Sequence, residues 1–364
     1  MKRREFLKTT AVAGAALGIA GCTREQIEGK KSVNIARRRK VKLKLATSWP
    51  AHFPIMGTGV ERFAKMVEVM SGGSLVIKVY PKNILVPALA VFDATSNGEI
   101  DAFHSGPYYW KGKNPAFALF SGRPLGMVAD ELYCWLHFGG GYDLWRELYG
   151  RYNLYPMIGG NTGVQMGGWF RKPIESLADL KGLKMRIPGL GGEVMAKLGV
   201  NPILLPAGEI YTALERGTID ATEWVGPALD IRMGFYKVAP YYYTGWHEPG
   251  SILELTFNKK RFESLGTEHR EILHQAAEAM TTRMYHEFIA ENAKALEKLK
   301  KLGVKIYDFP RDVISAAQRG IAEVIEEQSR RSEDFKRVAA SMAAYYKEVK
   351  PWTDISEAKY LAIR

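Results

Sequence analysis

One short pattern occurs twice in this chain, and the repetition restricts the fold more than any other feature of the sequence. The copies are Phe92-Asp93-Ala94-Thr95-Ser96-Asn97-Gly98-Glu99-Ile100-Asp101-Ala102 and Tyr211-Thr212-Ala213-Leu214-Glu215-Arg216-Gly217-Thr218-Ile219-Asp220-Ala221. Each has an aromatic residue, a later glycine, Ile-Asp-Ala and then Gly-Pro. The pattern predicts a helix ending at glycine, a short buried strand and a loop. The alternative is two unrelated junctions that look alike because few sequences form such a turn.

The segments before the first copy alternate between strand and helix patterns. Residues 41–46 and 75–80 have strand patterns, whereas 57–70 and 87–97 have helical ones. This order predicts a mainly parallel sheet with helices on both faces. A chain of 364 residues has room for two such units. Because open α/β sheets bind ligands beyond the carboxyl ends of their strands, the repeat predicts two lobes that face each other across a ligand cleft.

The loops after the two repeated strands carry the side chains of interest. The first supplies His104, Ser105, Tyr108, Tyr109 and Trp110, and the second supplies Glu223 and Trp224. A single aromatic residue in such a loop is often a packing residue. Aromatic residues in both loops favour a cage around a ligand.

A third element points to the same cleft. Residues 183–188 have a strand pattern with Arg186 near the carboxyl end, followed by Pro188 and Gly189. A guanidinium in this position could bind a carboxylate through two parallel hydrogen bonds. The alternative is an ordinary surface ion pair.

The basic charge of the chain is concentrated at its beginning. The formal net charge is +12, of which residues 1–21 carry +3 and residues 22–42 carry +6. The remaining residues carry only +3, which is too little for a surface that follows nucleic-acid phosphates. We therefore expect no nucleic-acid partner.

The first 21 residues have the pattern of an export signal. Arg3-Arg4 followed by Phe6-Leu7-Lys8 resembles a twin-arginine signal, and the apolar run after it is too short to span a bilayer. An ordinary Sec signal is the alternative. Ile19-Ala20-Gly21-Cys22 resembles a lipobox, which predicts a lipid on Cys22 and a tether over residues 22–42. A plain periplasmic product without a lipid is the alternative to this prediction.

Several motifs carry a resemblance to a known family. Met185-Arg186-Ile187-Pro188-Gly189, the lead-in Leu177-Ala178-Asp179-Leu180-Lys181-Gly182 and the second repeat resemble the DctP-type receptors of tripartite ATP-independent periplasmic (TRAP) transporters. Glu223-Trp224-Val225-Gly226-Pro227 and Trp246-His247-Glu248-Pro249-Gly250 are most similar to its 2-oxoacid-binding branch. The resemblance implies an α/β, periplasmic-binding-protein-like fold with hinge strands and long C-terminal helices. It also implies a periplasmic receptor, not an enzyme, that delivers a small monocarboxylate such as pyruvate or lactate to TRAP membrane subunits.

The same resemblance implies a role for each site residue. Arg186 would hold the ligand carboxylate, and Tyr108, Tyr109 and Trp224 would bury the ligand. Gln165 would contact both the ligand and a cation, whose other ligands would be Glu223, the Trp224 carbonyl and Glu248. Oxygen donors suit Na⁺ or Ca²⁺. Direct hydrogen bonding without an ion is the alternative for Gln165 and Glu223.

The chain divides, on this interpretation, into two discontinuous lobes. Residues 43–160 with about 250–270 would form the first lobe, and 161–249 with about 271–312 the second. Residues 313–364 would form a helical extension that could pair two subunits.

The competing function is a secreted lipoprotein hydrolase or lyase acting on a small organic acid, with Glu223, Glu248 and His247 as acid and base. The chain lacks a Gly-x-Ser-x-Gly nucleophile elbow, a His-Glu-x-x-His zinc helix and a phosphate loop.

Overall fold

The computed structural model describes residues 40–364. The predicted export signal, the lipobox and nearly all of the tether lie outside the described residues. The strands are β1 (Val41–Thr47), β2 (Leu75–Tyr80), β3 (Ala102–Ser105), β4 (Leu154–Asn161), β5 (Gly168–Phe170), β6 (Lys184–Arg186), β7 (Asn201–Ile203), β8 (Ala221–Thr222), β9 (Tyr241–Tyr243), β10 (Ile252–Asn258) and β11 (Lys305–Tyr307).

The α-helices are α1 (Met56–Met70), α2 (Val91–Ser96), α3 (Ala129–Phe138), α4 (Gly141–Gly150), α5 (Gly189–Lys197), α6 (Ala207–Glu215), α7 (Pro227–Met233), α8 (Lys259–Glu263), α9 (Thr267–Lys301), α10 (Arg311–Arg331), α11 (Glu333–Ile355) and α12 (Glu357–Leu361). Short 3₁₀ helices span Pro107–Trp110, Pro115–Ser121, Leu177–Leu180 and Phe235–Lys237. Between residues 40 and 364, no helix combines the length and apolar character needed to cross a bilayer.

Each lobe is built on its own sheet. The first sheet has the order β2-β1-β3-β10-β4, and the second has the order β11-β9-β5-β8-β6-β7. The prediction of mainly parallel sheets is confirmed, and each sheet also contains one strand that runs against all the others. In the first, β10 arrives from the second lobe and runs antiparallel to β3 and β4. In the second, β5 is antiparallel to both β8 and β9.

The repeated pattern has the same structure in both lobes. Gly98 and Gly217 follow helices α2 and α6 with φ of 82° and 71°, the left-handed conformation that glycine adopts without strain. Asp101 accepts a hydrogen bond from the backbone N–H of Lys44 at 2.7 Å, and Asp220 accepts one from Lys184 at 2.9 Å. The repeated aspartate therefore ties β3 to β1 and β8 to β6.

The chain passes between the sheets at residues 162–167 and 244–251, which neighbour each other, and again through α8 and α9. The second ends directly before strand β10. Gln165 N–H donates to the Glu248 carbonyl at 2.9 Å, and Thr162 N–H donates to the Ser251 carbonyl at 3.0 Å. The first two crossings are therefore hydrogen-bonded to each other.

The C-terminal helices join the lobes as well. Helix α9 packs against β4 and α1 of the first lobe and against α7 of the second, whereas the sequence analysis predicted that residues of about 271–312 belong to the second lobe alone. Helix α10 packs on α5, and α11 returns to α3 and α4. Residues 313–349 are thus part of the folded body rather than a separate extension. The first lobe also begins earlier than predicted, because β1 includes Val41 and Lys42.

Candidate ligand-binding site

Arg186 ends strand β6 inside the molecule, with 1% of its surface exposed. Its Nη1 donates to the side chain of Glu223 and to the Glu223 carbonyl, and its Nε donates to the Leu205 carbonyl at 3.2 Å. Nη2 has only a long contact of 3.4 Å with the Tyr109 hydroxyl. The Trp224 ring lies 5.0 Å from the guanidinium carbon, a cation–π contact. Nη2 is thus the least engaged arm of a buried cation.

Glu223 is paired with two basic groups. Besides its ion pair with Arg186, its Oε2 lies 3.2 Å from His247 Nε2, and all three side chains are buried. Burial is the largest single influence and acts to lower the pKa of His247, but the hydrogen bond to Glu223 and the negative charges of Glu223 and Glu248 together outweigh it, so the net shift of the pKa is upward. From the sequence, His247 was a candidate only for the competing enzyme, whereas in the structure it is a partner of Glu223.

The loop after β3, in the first lobe, approaches Arg186 of the second lobe. Tyr108 and Tyr109 lie in the 3₁₀ turn Pro107–Trp110, with ring centroids 4.6 Å apart and nearly perpendicular planes. Burial raises the pKa of the Tyr108 hydroxyl well above its ordinary value. Tyr108 also packs against Gly189, where an added Cβ would lie 3.1 Å from the tyrosine Cβ. The pair of tyrosines therefore covers Arg186 and the start of α5.

One amide oxygen and one carboxylate oxygen near this point have no hydrogen-bond partner within residues 40–364. They are Gln165 Oε1 and Glu248 Oε2, and both residues lie in the crossings. Burial raises the pKa of Glu248 to about 7; the nearby Glu223 also raises it, and His247 opposes the rise. Because unpaired buried oxygens are costly, their presence indicates a place for a ligand or an ion.

Backbone hydrogen bonds bring the predicted residues together. Met166 N–H donates to the Val225 carbonyl at 2.9 Å, which joins the segment after Gln165 to the one after Trp224. Close approach of the crossings also needs Gly245, since a Cβ there would overlap the Gln165 carbonyl. The structure thus gathers Arg186, Gln165, Glu223, Trp224 and Glu248 in one region. No contact tests the carbonyl of Trp224 as a cation ligand, and that role stays a prediction.

Asp230 also supports the site, a role that the sequence did not indicate. Asp230 is fully buried and accepts four hydrogen bonds, from the side chains of Trp169 and Tyr242 and from the amides of Val225 and Gly226. Burial raises the pKa of Asp230 to about 7, and these bonds oppose the rise.

His104, a predicted cleft residue, instead lies in the core between Trp49 and Gly159. Trp110 is also a packing residue, and its Nε1 donates to Glu254 at 2.5 Å.

The donor set favours a mixed oxygen site over a transition-metal site. Within residues 40–364, no group of three or more His, Cys, Asp or Glu side chains is arranged to hold a metal ion. The available donors are amide and carboxylate oxygens, which suit Na⁺ or Ca²⁺.

Comparison with known proteins agrees with the fold. Residues 45–331 match the model of DctP, bacterial extracellular solute-binding protein family 7. A monocarboxylate 2-oxoacid-binding periplasmic protein of Nostoc sp. is 40% identical over 363 residues, which are 99% of this chain and 98% of that protein.

Two solved structures are similar over almost the whole described chain. A TRAP periplasmic solute-binding protein from Colwellia psychrerythraea, with bound calcium and pyruvate, has a TM-score of 0.87 and 45% identity, and the match covers 89% of this chain and 99% of that one. Its counterpart from Pseudoalteromonas atlantica, with bound sodium and pyruvate, has a TM-score of 0.88 and 44% identity, with coverage of 90% and 100%.

These matches confirm the predicted two-lobe α/β fold and the predicted family. They also favour the receptor over the hydrolase or lyase, because the family consists of solute-binding proteins rather than enzymes. The chain belongs to the DctP family of bacterial extracellular solute-binding proteins, the receptors of TRAP transporters.

Proposed function

We propose that this protein binds a small 2-oxo or 2-hydroxy monocarboxylate together with Na⁺ or Ca²⁺ and delivers it to the membrane subunits of a TRAP transporter. The observation that carries the proposal is the buried Arg186, whose Nη2 makes only a 3.4 Å contact with the Tyr109 hydroxyl among the described residues, in the same region as the unpartnered side-chain oxygens of Gln165 and Glu248. The Nostoc relative named for 2-oxoacids and the two pyruvate-bound structures support the same ligand class.

Arg186 would bind the carboxylate mainly through Nη2, since its Nη1 and Nε already donate to protein groups. The Tyr109 hydroxyl is the contact that the ligand would replace or share. A charge-assisted hydrogen bond in a buried site is stronger than one between neutral groups, and Trp224 keeps water from one face of the guanidinium. We infer that this bond draws the lobes together.

The residues present fit a hard cation. Gln165 Oε1 and Glu248 Oε2 would be two ligands, and Glu223 a third through lone pairs that Arg186 and His247 leave free. When bound, the ion attracts the oxygen atoms of a 2-oxo or 2-hydroxy acid and offsets the negative charge of the ligand. The cation and Arg186 would thus both take part in recognising one small acid.

Calorimetric titration of cation-depleted protein with pyruvate and lactate, each with and without Ca²⁺ or Na⁺, tests the proposal. The informative variant is Arg186→Gln combined with Glu223→Gln, which removes both buried charges together. Arg171→Gln, an exposed arginine of the same lobe, is the matched control. We expect the double variant to lose binding and the control to keep it. Binding of full strength in a folded double variant would contradict the assignment of the carboxylate.

We propose in addition that residues 1–21 direct export by a twin-arginine-like signal and that a lipid on Cys22 tethers the mature protein. The paired arginines and the lipobox-like sequence support this proposal. Mass spectrometry of the mature N-terminus would detect a diacylated Cys22, and substitution of Arg3 and Arg4 by lysine should retain precursor in the cytoplasm.

We also propose that the C-terminal helices can pair two copies of the chain. Trp352 and Ile355 of α11 and Leu361 of α12 are more than half exposed, as is Ile363 beyond them, and such apolar patches favour association. Light scattering of the mature protein should give a dimer mass, and removal of residues 350–364 should give a monomer. A monomer at every concentration would contradict the proposal.

A further inference from the structure

We propose that Phe53, in the loop between β1 and α1, sets the chain length of the acid that the site accepts; this inference rests on the function proposed above. Phe53 belongs to the first lobe, and its ring meets the Trp224 ring of the second lobe edge to face, with centroids 6.3 Å apart. Because Trp224 covers the guanidinium of Arg186, only the Trp224 ring connects Phe53 with the arginine proposed to hold the carboxylate.

The loop fixes the Phe53 ring in place. The carbonyl of Phe53 accepts hydrogen bonds from the amides of Gly57 at 2.8 Å and Thr58 at 3.0 Å, while its own N–H donates to the Pro50 carbonyl at 3.2 Å. The backbone of Gly57 packs closely against Phe53, since a Cβ added at Gly57 would lie 3.2 Å from Phe53 Cβ. The side chain therefore has little freedom to move away from a larger ligand.

The backbone on both sides of Phe53 is strained. His52 and Ile55 have φ of 52° and 63°, and positive φ is rare for residues other than glycine, above all for a β-branched one such as isoleucine. Strain of this kind persists only where the surrounding structure holds it, and it is concentrated at functional sites. Pro50 and Pro54 further restrict the loop.

The chemistry of the ligand gives the ring its role. Phenylalanine offers no hydrogen bond, so it can interact only with apolar groups or exclude them. The carboxylate and the 2-oxygen of the ligand point to Arg186 and the cation, and the alkyl end must then face an apolar wall. The rings of Phe53 and Trp224, which meet edge to face from the two lobes, would supply such a wall. Longer alkyl chains would push the rings apart and hinder closure of the lobes.

The test is calorimetry with pyruvate, 2-oxobutanoate and 2-oxopentanoate at saturating Ca²⁺, on the wild type, Phe53→Ala, Phe53→Leu and His52→Asn. The control His52→Asn removes a neighbouring ring that is exposed and that asparagine can replace at positive φ. In Phe53→Ala we expect the affinity ratio of 2-oxopentanoate to pyruvate to rise about tenfold or more, since each buried methylene changes affinity severalfold. Phe53→Leu should give an intermediate ratio, and His52→Asn the wild-type ratio.

A ratio that stays within twofold of the wild type in both Phe53 variants would overturn the inference, and so would an equal change in His52→Asn. If Phe53→Ala does not fold, Phe53→Leu decides alone, because it keeps an apolar side chain in the loop. The ratio is measured on one preparation and does not depend on the fraction of active protein. A wild type that binds none of the acids would instead refute the proposed function.

Discussion

Lys111 of the first lobe and Glu193 of the second form a salt bridge of 2.9 Å across the boundary between the lobes. Lys111 Nζ also donates to the Gly189 carbonyl at 3.2 Å, and Gln328 of α10 donates to the second Glu193 oxygen at 2.9 Å. Lys111 directly follows the 3₁₀ turn that carries Tyr108 and Tyr109. The aromatic loop is therefore linked to the opposite lobe by charge as well as by ring contacts.

Replacing Lys111 with methionine should speed release of the ligand by about two- to fivefold, because a partly exposed pair of this kind contributes about 0.2–1 kcal/mol. Stopped-flow tryptophan fluorescence would measure the rate. The matched control is Lys113→Met, whose lysine pairs with Asp93 within the first lobe at 2.6 Å. Equal release rates in the two variants would argue against a role for the bridge between the lobes.

Replacing Glu223 with glutamine should destabilise the ligand-free protein by about 3–5 kcal/mol, because it leaves Arg186 as a buried charge without its partner. A bound carboxylate should restore part of that loss, since it supplies a new negative charge. Denaturant unfolding with and without pyruvate would measure both effects. Glu215→Gln, at an exposed position of α6, is the control; a loss no larger than that of the control would contradict the prediction.

His104 should make stability depend on pH in the acid range. Its Nδ1 accepts from Trp49 Nε1 at 2.7 Å and its Nε2 donates to the Gly159 carbonyl at 2.9 Å, so the ring is held neutral. Burial lowers the pKa of His104 from 6.5 to about 4, and the hydrogen bond to Gly159 opposes the shift. Below pH 6.5 the unfolded chain binds a proton that the native state does not. Stability should therefore fall between pH 6.5 and 4, by about 3 kcal/mol.

Urea unfolding at several pH values, in the wild type and in His104→Asn, would isolate this contribution. Asparagine keeps an acceptor for Trp49 but cannot take up the proton. The variant should be less stable than the wild type at pH 7, with a difference that narrows toward pH 4. His286→Asn, at an exposed position, is the control. A difference between His104→Asn and wild type that stays constant over this range would show that His104 does not titrate as described.

Gly160 near the end of β4 should not tolerate a side chain. Its φ is 148°, and a Cβ there would overlap the sulfur of Met284 from α9. Gly160→Ala should cost about 2–4 kcal/mol of unfolding free energy from strain and overpacking. Combining it with Met284→Ala should remove the part due to overlap and leave the part due to φ. Gly112→Ala, which meets open space, should have little effect; an equal loss there would contradict the explanation.

The sequence predicted those features that depend on short-range order. The repeat, with its glycines and the aspartates Asp101 and Asp220, is local chemistry, and so is the place of Arg186 at a strand end. The antiparallel position of β10 in the first sheet could not be predicted, because strands β5 to β9 of the second lobe separate it in sequence from the other strands of its sheet. The pairing of His247 with Glu223 and of Phe53 with Trp224 also joins residues far apart in the chain.

Helix α9 has 35 residues and so extends about 50 Å. It holds the first lobe through Met284, which fills the space beside Gly59 and Gly160, and the second through Asn292, which accepts from the Ala228 amide at 2.9 Å. Because this one helix is attached to both lobes, we expect the lobes to move relative to each other mainly by rotation about an axis near α9. Weakening the contacts of either Met284 or Asn292 should increase the range of this rotation without changing any residue proposed to contact the ligand.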